Sequence, residues 1–405
     1  MNPPDRNPAR ARPRARRGLP ILAAGAAVAL LAACGGSGDG SDGTGAAAEP
    51  VPHGYVEGAE EAGEAQWRLV LAEAGGGRVR ALDPATEKVT EIGTVDGLTG
   101  IATDGRFAYL ATAGGVRIAD TGVWTVDHGD HVHYYRARAG VVGDLAGAGA
   151  DTVAGDAART ALAAPGGVRV LDREALGKGE IRQAASITGR TALPYGERLL
   201  VPSGDGGRVA VHDRSGRRVS ELPEPCPEPR GQAVTRRGAV LGCADGALLV
   251  TGDGGRFAAE KIAYPGTVPA GERAGRFHHR PGAAVLAAAA GDDGAWVLDL
   301  AAKEWHRVGS GPAAAVNAVG EDAPVLVLGE DGTLSSYDAE TGKRLTSRRL
   351  LKDTRNAVIQ VDTARAYVND PAGRAVHEID YADDLREART FDLGFAPAHM
   401  VETGW

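Results

Sequence analysis

Cysteine is scarce in this chain: three in 405 residues, with no C-x-x-C spacing that would favour a thiolate metal site. Aromatic residues make up only 5%, which leaves little to stack against a quinone-type cofactor. No Ser-His-Asp pattern stands in a recognisable context, and no cofactor motif appears. No long 3.6-residue apolar period is present, so a helical fold is excluded. The one long apolar run, "LPILAAGAAVALL", is too short to read as a spanning helix. Excess basic charge is missing as well. The formal net charge is −8, and residues 1–33 alone carry six Arg against one Asp, so residues 34–405 hold −13. That argues against nucleic acid as a partner and suits cations.

The N-terminus contains an ordered set of export signals. Arg10, Arg12, Arg14, Arg16 and Arg17 precede the apolar run, which ends in "LAAC" followed by Gly35 and Gly36. This order is that of a lipoprotein signal peptide over residues 1–33, with Cys34 as the lipidated first residue of the mature chain. Residues 34–65, rich in Gly, Ser and Asp, read as a flexible tether. The protein is then expected outside the cytoplasm, anchored to the outer face of the cell membrane through Cys34. Two cysteines remain. Cys226 and Cys243 in an exported protein are most simply a disulfide, with a thiolate metal site as the rival reading.

From residue 66 one pattern recurs. Short alternating apolar strands are separated by Gly/Asp turns, as in "GRVAVHDRSGRRVSEL", "GAWVLDLAAKEWHRV" and "GTLSSYDAETGKRLTS". Eight units start near residues 66, 98, 133, 190, 230, 278, 314 and 356. Repetition at that period predicts an all-β fold: a single β-propeller of about eight, alternatively seven, four-stranded blades over 66–405. The stretches "GDGG", "GDDG" and "GEDG" resemble cation loops, but their phase makes them hairpin turns.

Histidine is also sparse, with ten in all, yet three fall in "TVDHGDHVHYY", Thr125–Tyr135. His131 and His133 are two apart, so on a strand they share one face at about 7 Å. Asp127, His128 and Asp130 lie upstream as ligands or as partners that orient the imidazoles. Aligned on the repeat, His131, His133, Arg230, His278, His279 and His399 fall at one phase, at or just before an innermost strand. Such positions would surround one mouth of a propeller channel. His278 and His279 are adjacent, so at most one of them faces the channel. Imidazoles with carboxylates and without free thiols suit Zn2+, although copper and nickel take the same ligands. His53, His212, His306 and His377 read as ordinary surface residues.

Taken together, "DHGDHVHYY", "CPEPRGQAV…GCADGALLV" and "HEIDYADDLREARTFDLGFAPAHMVETGW" resemble the AztD type of zinc metallochaperone, an exported β-propeller. The resemblance runs over most of 66–405. It implies zinc at His131 and His133, joined by His278 or His279 and His399, a structural disulfide, and no catalysis. It also implies delivery of zinc to the solute-binding protein of a zinc ABC transporter; a monomer is expected. Two departures stand out. Arg230 occupies a place where the family pattern has His, and a guanidinium repels a cation; pairing with Asp130 is one role for it. The tail "HGYVEGAEEAGEAQ" holds only His53, so a mobile second zinc site there would be weak or absent. A metal-dependent, lactonase-like propeller hydrolase and a metal-free binding scaffold are the alternatives.

Overall fold

The computed structural model describes residues 57–73, 77–203, 207–253 and 255–405. The signal peptide, Cys34 and most of the tether lie outside these residues.

The described chain is almost all strand, with one short helix at Arg173–Gly177. It forms nine antiparallel sheets, seven of four strands and two of three. Eight of them follow one another along the sequence as meanders. Second strands such as Gly238–Cys243 are buried at every residue, because sheets cover them on both faces. Outer strands such as Arg256–Ala263 and Arg344–Arg349 are mostly exposed or half-buried, with Ile262 as a buried exception. Alanine and valine fill much of the space between sheets, as with Val285, Ala287, Val297, Val316 and Val327.

First strands succeed one another in closed order. Leu98–Thr103 touches Val153–Gly155, which touches Leu193–Tyr195. The next link is the hydrogen bond from Thr191 to Gln232, which lies in the strand Arg230–Thr235. Thr235 then bridges to Gly282, and His279 to Ala318 of strand Ala313–Ala318. Ile359–Val361 follows, then Pro397–Thr403, which returns to Leu98–Thr103. The C-terminal strand Pro397–Thr403 thus serves as the first strand of the sheet begun by Arg68–Glu73. This is a propeller-like arrangement. The three-stranded sheet Val285–Val308 has its first-strand position reduced to a two-way backbone bridge between His278 and Ala287.

The first turn of three sheets repeats one device. Asp104, Asp156 and Asp362 each accept hydrogen bonds from the backbone N–H groups two and three residues on. In two of them a tyrosine five residues later donates its hydroxyl to the same carboxylate: Tyr109 to Asp104 at 2.8 Å and Tyr367 to Asp362 at 3.2 Å. The turns "GDGG" near Gly252, "GDDG" at 291–294 and "GEDG" at 329–332 are hairpin connections, as the repeat phase requires. Cys226 and Cys243 form a disulfide with Cα atoms 5.0 Å apart. Closing 17 residues, it contributes about 3 kcal/mol on the chain-entropy account.

The phase of the third unit differs from the sequence expectation. Residues 140–146 are not part of a new sheet; they are the outer strand of the second, paired with Gly115–Asp120. The third sheet begins at Val153. Between the third and fourth strands of the second sheet the chain inserts an extra hairpin, Val123–Asp127 and Val132–Arg136. That insertion makes the ninth sheet.

Glu402 on the closing strand is 2% exposed, and one of its carboxylate oxygens has no hydrogen-bond partner. Burial, reinforced by Asp362, pushes its carboxyl well above the ordinary range. A raised acid stabilises the fold below its unfolded value and loses that contribution as pH rises toward its folded value. Desolvation moves His278 the other way, down to about 4. Its contribution is present above pH 6.5 and is lost as pH falls toward 4, a ceiling of roughly 3 kcal/mol. Glu402→Gln is therefore expected to gain stability relative to the parent progressively above about pH 4.5, read from urea midpoints across pH 4.5–8. A pH-independent difference between the two would refute the buried-acid account.

Candidate metal centre

The inserted hairpin explains the clustering in "DHGDHVH". His128 and His131 flank a two-residue loop, Gly129–Asp130, closed by the His128 N–H donating to the His131 carbonyl at 3.0 Å. Gly129 takes φ +88°, the positive value tight hairpins of this kind need at their first loop position. Asp127 fixes the turn by accepting the Gly129 N–H at 2.7 Å. Residues facing each other across a hairpin have neighbouring side chains, so His128 and His131 stack with ring centroids 4.8 Å apart. His133, two residues along the same strand, falls on the same face. Its ring stands edge-on to both, at 5.4 and 5.0 Å.

One ligand atom from each of the three imidazoles lies within 4.8 Å of the other two. It is the one group of three or more potential ligands that gathers this closely among the described residues. Two rings are held by carboxylates at Nδ1. His131 Nδ1 is 2.7 Å from Asp130 Oδ1, and His133 Nδ1 is 2.6 Å from Glu61 Oε1. A carboxylate can only accept, so Nδ1 carries a proton, which in the neutral ring leaves the Nε2 lone pair for a metal. Asp130 is held below its usual value, first by that hydrogen bond from His131. Tetrahedral zinc with bonds near 2.0–2.1 Å needs donors roughly 3.4 Å apart. Exposed side chains such as His128 and His131 reach that by small rotations. The donor set fits zinc: three imidazoles, two oriented by carboxylates, and one coordination position left for a fourth ligand.

Glu61 was not visible in the sequence as part of a site. Residues 60–62, read there as the end of the tether, form a strand paired with Tyr134–Arg136. Glu61 lies opposite Tyr135, on the face that Tyr135 shares with His133. Nothing in "EGAEEAGEA" marks a strand, because its pairing depends on a hairpin some 70 residues later.

The remaining candidate ligands lie elsewhere. His278 and His279 are half-buried at the first-strand position of the sixth sheet, and His279 Nδ1 donates to the Arg280 carbonyl at 2.8 Å. Burial lowers the pKa of both, and of His399, which sits opposite Ala72 in the closing strand. None of the three joins the hairpin cluster. The expected common phase fails because His131 and His133 belong to an insertion rather than to a first strand. Arg230 does not reach Asp130; it pairs with Glu228 at 3.4 Å and with the Ala270 carbonyl at 3.1 Å. The arginine that does reach the hairpin is Arg236, 3.4 Å from Asp127. Since Arg236 sits in the first turn of the fifth sheet, and Thr125 donates to the Gly404 carbonyl, the hairpin lies at the end of the molecule where the first turns gather.

No protein-family model matches the sequence, and no curated protein does. Solved structures do match in fold. AztD from Citrobacter koseri superposes with a TM-score of 0.69 at 19% identity, over 84% of this chain and 98% of that one. Apo AztD from the same organism gives 0.68 at 18%, with the same coverage. The dihydro-heme d1 dehydrogenase NirN in complex with DHE gives 0.52 at 16%, over 83% of this chain and 75% of that one.

Proposed function

We propose that this protein is an extracytoplasmic zinc metallochaperone of the AztD kind. It binds one zinc ion at His128, His131 and His133 and passes it to the solute-binding protein of a zinc ABC transporter. The observation that carries this reading is the gathering of three imidazoles, two of them braced by carboxylates, on one exposed hairpin. The eight consecutive sheets are read as eight blades, and the inserted hairpin as a ninth sheet devoted to the metal. The fold likeness to AztD supports the same reading.

The chemistry is ligand exchange, without bond-breaking catalysis. A three-imidazole site keeps one coordination position open, and His128 and His131 are exposed, so an acceptor's donors have access to the ion. Nδ1 pairing holds the rings ready, which favours capture, while exposure permits stepwise release. A lipid anchor on Cys34 and a tether would keep the protein at the membrane beside its acceptor. No nucleic acid enters this scheme, and a monomer suffices for it.

Zinc-loaded protein mixed with the metal-free solute-binding protein tests transfer. Zinc is expected to move at a rate exceeding that of its spontaneous loss to a chelator of equal affinity, read by metal content after separation. Equal rates would mean passive release and would defeat the chaperone reading. Hydrolysis of a lactone by the zinc-loaded protein, abolished in the histidine variant, would instead establish the hydrolase.

A further inference from the structure

The two carboxylate braces differ in kind. Asp130 is next to His131 in sequence and travels with it. Glu61 reaches His133 from 72 residues earlier and is held only by the strand Glu60–Ala62. That strand has three residues, pairs along one edge, and lies at the margin of a three-stranded sheet. No residue from 57 to 68 is fully buried. The supporting ion pair, Arg136 with Glu60 at 2.9 Å, is more than half exposed on both sides, a kind worth about 0–1 kcal/mol. Peeling the strand away therefore exposes little apolar surface of the strand's own, and so short an edge pairing opens at low cost. It would remove the acceptor from His133 Nδ1 and free the ring to turn.

We propose that Glu61 is a positioning residue for the metal centre and that Glu60–Ala62 is a detachable brace that sets how fast zinc leaves. This rests on the zinc reading above. With the strand docked, His133 is held in its ligating tautomer and orientation. With it undocked, the ion keeps His128 and His131 and a loosely held third ligand. The chain before residue 57 leads directly into this strand.

The test uses the full-length protein loaded with zinc, with dissociation followed into excess chelator. Glu61→Ala is expected to release zinc 10–100-fold faster than the parent, the usual consequence of losing a histidine's carboxylate partner. The global unfolding midpoint should be unchanged, since Glu61 is exposed. A Glu60→Cys/Arg136→Cys pair, opposite in register, should lock the strand once oxidised and slow release below the parent's rate, reversibly on reduction. If the parent holds zinc and Glu61→Ala releases it at the parent's rate, the positioning role is overturned. If the locked strand releases zinc as fast as the reduced one, the detachable brace is overturned. If the parent holds no zinc, the metal reading falls and takes the brace with it.

Discussion

His131→Ala/His133→Ala is expected to abolish zinc binding while leaving the fold intact. Structural zinc sites in small peptides are worth about 10–16 kcal/mol, roughly 3 kcal/mol per ligand. Losing two of three imidazoles should weaken binding by roughly four orders of magnitude. The cost to the fold is small, because His131 is exposed and His133 sits on an inserted hairpin outside the eight consecutive sheets. Isothermal titration with zinc and a thermal melt by circular dichroism measure both quantities. The comparison variant His278→Ala/His279→Ala should do the opposite: zinc affinity near the parent's and a lower melting temperature, since these residues supply the first-strand position of the sixth sheet. If instead the second variant loses zinc and the first keeps it, the ion belongs at the first strands and the hairpin is a polar rim.

Removing residues 397–405 is expected to leave no cooperatively folded protein. The strand they form is the first strand of the first sheet. It buries Ala398, Met400, Val401 and Thr403 between neighbours on both sides. Truncating one buried methionine to alanine typically costs 2–5 kcal/mol. A domain's whole margin is about 5–15 kcal/mol. Deleting the strand forfeits several such contributions and exposes the edge of Arg68–Glu73, an aggregation hazard. Met400→Ala is the graded version and should lower stability by that 2–5 kcal/mol, read from urea midpoints. A truncated chain that melts cooperatively at the parent's temperature would show that the order of sheets closes without this strand.

The repeat was readable wherever a sheet followed the local rules. Alternating strands, Gly/Asp turns and buried second strands such as "GAVLGC" announce themselves within a dozen residues. Reading failed where one sheet was interrupted by an insertion. "GVWTVDHGDHVHYYR" is a complete hairpin in its own right, with G-D as its two-residue loop between His128 and His131. Read as the start of a unit, it shifted the third sheet by about 20 residues and assigned His131 and His133 to a first strand. Pairing between distant segments leaves no local trace, so Glu61 was invisible. The histidine stretch itself was legible as a candidate metal centre because a face-sharing H-x-H is a local property. That His278, His279 and His399 stand apart from it is a matter of tertiary placement, which periodicity alone does not fix.

The contact between Thr125 and Gly404 bears on the order of events during biosynthesis. The hairpin that carries the imidazoles lies early in the sequence, but it rests on Gly404, 279 residues after Thr125. Until residues 397–404 have been made, the first sheet lacks its first strand and the hairpin lacks its footing. Pairings at the greatest possible sequence separation form late and slowly. The imidazole cluster is thus completed late in folding, once the closing strand has joined the first sheet.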